Sequence, residues 1–284
     1  MHKNLFIFLV VFISACGFNR QEDKFFKEAV KFKNDGDLSN SIDAFKKVIS
    51  VAPRSDKAKE SLYLLGDVYY QTGEAKKAIK VFTAYMDLGS PRGKRKFLVL
   101  SKIGKLYQEK LGSPEQAIGY YIKALDYASS KEDRFDVLLN MGNCYFKMYK
   151  FDTAVEYFNK SFLEVEHSSD EVIIPKIQEA LYYMAFSYSI LRNDINETTG
   201  STGSKKQEDS TSSDPLKKTI EILNKCISYS ATSKYGILCK FEKAENLIEL
   251  DEKSKALEMF MELRDSHPNK AVIETKIKKL QEGK

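Results

Sequence analysis

Four times between Leu62 and Leu191 an apolar residue is followed by a tiny one and, three positions after that, by a tyrosine. The copies are Leu65-Gly66-x-x-Tyr69, Ile103-Gly104-x-x-Tyr107, Met141-Gly142-x-x-Tyr145 and Met184-Ala185-x-x-Tyr188. The small residues are 38, 38 and 43 positions apart. That spacing is too regular for chance and too long for a heptad, and it predicts a stacked helical-hairpin repeat. Downstream of the first three copies a second pair follows, Ala78 with Phe82, Ala117 with Tyr121 and Ala154 with Phe158. Each pair is four residues apart, so both members share one face of a second helix. Between the helices lie turns, Gly73 in one copy and Leu111-Gly112-Ser113-Pro114 in another. Pro114 suits the first helical position, where no amide hydrogen is needed, and Ser113 with Gln116 reads as a capping box.

These residues resemble the tetratricopeptide repeat, a helix-turn-helix unit of about 34 residues. The resemblance implies an all-α fold, a right-handed superhelical solenoid of about six repeats closed by a C-terminal capping helix. The repeats run near 22–55, 59–92, 97–131, 135–168, 178–232 and 237–270, with a cap over 271–281. The first holds Phe25, Ala29, Phe32, Gly36, Ser41, Phe45 and Pro53, and the sixth holds Ala244, Leu247, Ala256, Phe260 and Pro268. The third carries one residue more than its neighbours, placed in its turn. In the cap Val272, Ile273, Ile277 and Leu280 form one apolar stripe. A small residue at the helix crossing lets the two helices approach, and the aromatic residues fill the remaining space.

The fifth repeat is interrupted over 193–214, between Leu181, Ala185 and Tyr188 of its first helix and Leu223 and Cys226 of its second. From Glu197 to Asp214 nothing is more apolar than a threonine methyl, so a disordered surface insertion is expected.

The first residues follow a different pattern. Lys3 precedes an apolar run from Leu5 to Ala15 broken only by Ser14, and then comes Cys16. A run of eleven residues is too short for a spanning helix, which needs about 20, and the order of charge, apolar run and small residues reads as a secretory signal over 1–15. Ile13-Ser14-Ala15-Cys16 resembles a bacterial lipobox. That resemblance implies cleavage before Cys16, acylation of its amine and thiol with chains such as palmitate, and a short tether over 16–21. Each buried methylene is worth about 0.8 kcal/mol, so the lipids anchor the chain in a bilayer. Gly17 rather than Asp after the cysteine implies the outer membrane, facing the periplasm.

Composition adds limits. Charged residues make up 30% of the chain and the net charge is +5, too mild for a nucleic-acid partner. Arg92, Lys94, Arg95 and Lys96 form a basic knot between repeats two and three, read as a solvated turn. Cys226 ends one helix and Cys239 opens the next, so the two can form a disulfide in an oxidising compartment; as thiols they would be small buried apolar residues. Catalytic groups do not converge. His2 leaves with the signal, and His167 and His267 stand at repeat ends without metal-ligand spacing. Neither a nucleophile elbow nor a Cys-x-x-Cys pair is present. Gly200 to Lys205 lacks the ending of a phosphate-binding loop. No enzymatic activity, catalytic residue, cofactor or metal is expected.

In tetratricopeptide arrays the first helices line a concave groove, and residues spaced by four, seven and eight share that face. Those slots hold Tyr63, Asp67, Tyr70 and Gln71, then Ser101, Lys105, Gln108 and Glu109, then Leu139, Asn143, Phe146 and Lys147, with Tyr182 and Phe186 from the fifth repeat. Aromatic rings among polar groups suit an extended peptide or a partner helix. The Lys and Asn pair by which other family members grip a terminal carboxylate is not reproduced, since Asn143 faces Leu139. The sequence therefore reads as a membrane-anchored scaffold or assembly adaptor for envelope proteins. The alternative is a periplasmic or surface protein that captures peptide, glycan or a small ligand. Phe25 to Tyr107 is also similar to the lipoprotein subunit of the outer-membrane β-barrel assembly machinery, through Pro53-x-Ser55 and Leu62 to Phe82. Tetratricopeptide pilot lipoproteins of secretin and pilus assembly are similar as well.

Overall fold

The computed structural model describes residues 20–89, 91–202 and 215–283, with side chains for all of these except 194–202. They are helical with short turns, and no strand occurs among them. The chain divides into two compact units, one ending at Ser129 and the other beginning at Ser130.

The first unit holds α1 (residues 20–34), α2 (Leu38–Val51), α3 (Asp56–Gln71), α4 (Ala75–Gly89), α5 (Gly93–Lys105) and α6 (Pro114–Leu125). These pair in sequence as hairpins around a core that includes Ala29, Phe45, Leu65, Phe82 and Ile103. The second unit holds α7 (Lys131–Lys147), α8 (Phe151–Val165), α9 (Ile174–Thr202), α10 (Pro215–Tyr229), α11 (Lys234–Glu249), α12 (Lys253–Leu263) and α13 (Lys270–Gln281). One core runs from Phe135 through Phe158 and Leu181 to Leu223, and a smaller one joins Ala244, Phe260 and Ile277.

The repeated glycine is a packing device. A Cβ built on Gly66, Gly104 or Gly142 would stand 2.6 Å from a ring carbon of Phe82, Tyr121 or Phe158 respectively. The ring sits where that methyl would be, so the helices of each hairpin close onto one another. Helix starts follow local chemistry: Asp37, Ser55, Ser130, Ser233 and Asn269 each accept a backbone amide three residues on, satisfying one of the unpaired donors of the first turn. The helix expected at Pro114 starts there, but Ser113 makes no cap bond; its hydroxyl donates to the Leu111 carbonyl at 3.3 Å instead.

Three features depart from the sequence reading. The extra residue of the third repeat is absorbed not in the turn but in a π-helical turn, Leu106–Lys110, where Leu111 N donates to Leu106 O at 3.1 Å. The interruption expected from Asn193 begins later, since α9 continues to Thr202. No proline stands between Leu191 and Thr202 and the first glycine is Gly200, so a helix packed through Arg192 propagates cheaply beyond its core contacts. The rest of that insertion, 203–214, lies outside the described residues, as do the signal segment and Cys16. Finally, Arg95 and Lys96 of the basic knot have partners within the chain. Arg95 Nη2 donates to Glu60 at 3.0 Å, and Lys96 Nζ donates to the Tyr127 hydroxyl at 2.7 Å.

Cys226 on α10 and Cys239 on α11 are joined by a disulfide, with Cα atoms 6.4 Å apart. Cys144 is buried. No helix among the described residues is long and apolar enough to cross a membrane.

Candidate interaction surfaces on the first helices of the repeats

Within each unit the first helix of a hairpin turns one face toward the first helix of the next, and polar side chains fasten these neighbours together. In the first unit, α3 meets α5 through Glu60 with Arg95 and Asp67 with Lys102. In the second, Asp136 of α7 meets Lys176 of α9 at 2.7 Å, and Asn143 Nδ2 donates to Glu179 at 3.0 Å. Arg192 of α9 is buried and donates to Asn246 at 3.1 Å and to Glu249 at 2.7 Å on α11. Glu245 of α11 lies 2.5 Å from Lys276 of α13. Such clasps, at one helical spacing after another, set the register between repeats.

The predicted groove residues fall into these two units, and they do not behave alike. In the first, Tyr63 packs 5.5 Å from the Tyr85 ring and lies under the Arg95 guanidinium at 4.7 Å. Asp67 holds Lys102 and accepts from Gln71 Nε2 at 3.1 Å, while the Lys102 ammonium lies 5.3 Å from the Tyr70 ring. Burial, helped by Glu109 and Asp67, raises the Tyr70 hydroxyl above its ordinary value. Lys105 is half-buried on α5.

Gln108 is corrected: it does not face a groove. It is buried at 7% exposure and its Oε1 accepts from the Tyr121 hydroxyl at 2.6 Å. The π turn is the cause, because one added residue in the turn rotates everything after it toward the hairpin interior. Leu139, the neighbour of Asn143 in the predicted slots, is likewise core at 4% exposure.

The second unit gathers its aromatic residues. Phe146 of α7 lies 5.0 Å from Tyr183 and 6.0 Å from Phe186 of α9. Tyr182 lies 6.2 Å from Phe186 and 5.8 Å from Tyr235 of α11, and Tyr183 lies 6.3 Å from Tyr235. All five rings are partly exposed, so three first helices together present one aromatic basin. Lys147 is exposed at the end of α7. Two carboxylates flank the rings. Glu179 accepts from Asn143, and Glu242 of α11 faces Tyr182, Glu245 and Lys276. Burial, with the Glu245 charge adding to it and Lys276 opposing, pushes the Glu242 carboxyl up to about 7. Burial, then Glu242 and Tyr183, push Tyr182 up to about 12. Tyr235 is raised further, by burial first and then by the Glu179 charge.

Glu179, Tyr183 and Glu242 escaped the sequence reading because they fall between the slots assigned to the groove face, and Tyr235 because α11 begins at Lys234, ahead of the repeat frame at 237. A signal was present: Glu179, Tyr182, Tyr183 and Phe186 fall at i, i+3, i+4 and i+7, and Tyr235 and Glu242 are also seven apart. The described histidines serve elsewhere. His167 is exposed beside Glu166, while His267 is buried, stacked on Phe241 and accepting from Asn269 N at 3.1 Å. No group of metal-ligating side chains occurs among the described residues.

Comparison with known proteins agrees with this architecture. Residues 59–88 and 136–161 each match a model of the tetratricopeptide repeat. Those two stretches are thus similar to tetratricopeptide repeats, the described residues have the all-α fold of stacked helical hairpins that such repeats build, and no catalytic family is indicated by the matches. Among solved structures, the C-terminal part of a tetratricopeptide protein from Cytophaga hutchinsonii is similar with a TM-score of 0.60 and 15% identity over 85% of this chain and 78% of that one. PilF of Pseudomonas aeruginosa gives 0.56 and 15% over 94% and 100%. YrrB, described as a tetratricopeptide protein with an unusual peptide-binding site, gives 0.54 and 17% over 81% and 97%. At these identities the likeness concerns the fold. No curated protein matches the chain.

Proposed function

We propose that this protein is a lipoprotein scaffold of the bacterial envelope, anchored through acylated Cys16, an assembly adaptor that holds a partner protein by an extended segment. The observation that carries the binding part is the aromatic basin of the second unit, where Phe146, Tyr182 and Tyr235 come from three successive first helices. Partly exposed rings gathered from three helices offer large contact area at small entropic loss, which is what a peptide-binding surface needs. A peptide-binding site on YrrB, a protein of similar fold, supports the same use. Anchoring rests on the lipobox Ile13-Ser14-Ala15-Cys16, and the outer-membrane address on Gly17.

Two experiments test the parts separately. Growth of the native host with radiolabelled palmitate should label the wild type and not Cys16→Ser; an unlabelled wild type overturns the anchor. Crosslinking in membranes followed by partner identification should recover an envelope protein with wild type and lose it with Phe146→Ala plus Tyr182→Ala. Undiminished capture by that double variant, still folded by circular dichroism, removes the basin from the function.

A further inference from the structure

We infer that the aromatic basin of the second unit receives a cationic side chain, a lysine or arginine of the bound peptide, between its rings and the carboxylate of Glu242. This rests on the reading of the basin as a peptide site and adds the chemistry of the residue it selects.

The first reason is the imbalance of charge. The groups facing Glu242 are the Tyr182 hydroxyl, Glu245 and Lys276, and Lys276 Nζ lies 2.5 Å from Glu245. Glu179, on the other side of the rings, is taken up by Asn143 at 3.0 Å and by the Tyr235 hydroxyl. Lys147 is exposed at the end of α7, and Lys234 stands on the exposed rim, 5.2 Å from the Tyr235 ring. Of the three carboxylates, Glu245 is paired by the lysine and Glu179 is held by neutral donors, which leaves Glu242 with neither. A largely desolvated carboxylate in that position is stabilised by an incoming cation and repels an incoming anion.

The second reason is the rings themselves. Five aromatic faces with centroids 5.0 to 6.3 Å apart carry negative quadrupole charge toward any group that enters. A neutral apolar residue gains contact area there but leaves Glu242 without a counter-charge; a lysine or arginine gains both, with its methylenes on the rings.

The third is Tyr149, which continues the aromatic surface outward. Its ring is 81% exposed and stands edge-on to Phe151 at 6.1 Å, and Phe151 in turn packs 5.4 Å from Phe146. Tyr149 has φ +59, whereas the matching hairpin turns of the first unit place Gly36, Gly73 and Gly112 at φ +80, +74 and +60. A tyrosine in the left-handed region is strained where glycine is not, and an exposed ring kept at that cost suits a surface that a partner covers.

The test is selection from a displayed library of random nonapeptides on the immobilised full chain. Enriched peptides should carry lysine or arginine. By calorimetry, replacing that residue with norleucine should weaken binding about tenfold, a change of about 1.4 kcal/mol. Glu242→Gln should lose the same factor for the basic peptide and none for the norleucine version. Enrichment of neutral or acidic peptides, or equal affinity for the basic and norleucine versions, overturns this inference and leaves the peptide-binding reading intact. A library that yields no binder overturns both.

Discussion

Glu242→Gln is the variant that most directly examines the electrostatics of the basin. Burial and the nearby Glu245 hold the Glu242 carboxyl at about 7 in the folded protein, against an ordinary value of 4.5. The folded state therefore binds a proton that the unfolded state has released between those two values. Stability from this group is full below pH 4.5 and falls as pH rises, levelling off above 7. Each tenfold displacement is worth about 1.4 kcal/mol, giving a ceiling of about 3 kcal/mol at pH 8. The side chain keeps some access to water, so we expect about half of that, or ~1.5 kcal/mol. Glutamine has the same shape without the charge. It should raise the melting temperature of the second unit by roughly 3–6 °C at pH 8 and have little effect near pH 3, where glutamate is neutral in both states. Calorimetric scans of both proteins at the two pH values measure the difference directly, because other carboxylates titrate alike in each. A variant less stable than wild type at pH 8, or an equal shift at both pH values, refutes the reasoning. Either would mean that ionised Glu242 has a compensating partner within the chain.

Other consequences are equally open to measurement. Gly142→Ala would place a methyl 2.6 Å from the Phe158 ring and should cost about 1–3 kcal/mol in urea denaturation; Ala29 and Ala244, buried in the cores that hold Phe45 and Phe260, show that other hairpins accept the methyl, so an unchanged midpoint would mean that this one relaxes as they do. Tyr149→Gly should gain about 0.5–1 kcal/mol from the left-handed backbone while weakening capture of a basic peptide, and a loss of stability would refute the strain. The disulfide between Cys226 and Cys239 closes a short loop, so reductant should lower stability of the second unit by about 3 kcal/mol; identical melts with and without reductant, or free thiols at Cys226 and Cys239 in the unreduced protein by mass, would refute the bond.

Much of the fold could be read from local pattern. The tiny residue before each tyrosine marks the helix crossing, and Gly66, Gly104 and Gly142 each sit against the ring that the pattern pairs with them. Pro114 begins its helix because a residue without an amide hydrogen loses nothing there. The interval from Gly104 to Ala117 is one residue longer than from Gly66 to Ala78, so the insertion itself was visible. Its location was not: a turn and a π turn absorb an extra residue equally well on paper, and only the second rotates Gln108 inward onto Tyr121. The reach of α9 past Asn193 is of the same kind, since helix propagation depends on what packs upstream more than on the propensity of the added turns.

The interaction surface divides similarly. Phe146, Asn143 and Tyr182 were assigned from the register of the repeat resemblance and helical periodicity, and they come together with Glu179, Tyr183 and Tyr235. Tyr63, Asp67 and Tyr70 have the same periodicity, yet their side chains are engaged by Arg95 and Lys102 of the adjacent helix. Periodicity is a property of one helix, and it is what the sequence by itself determined: hairpins, their small-residue crossings and the face each helix turns to its neighbours. Which residues on that face are spent on a neighbouring repeat, and which gather into a partly open basin around Glu242, the tertiary structure decided. Those outcomes depend on distances between groups 35 or more residues apart along the chain, and no local repeat encodes them.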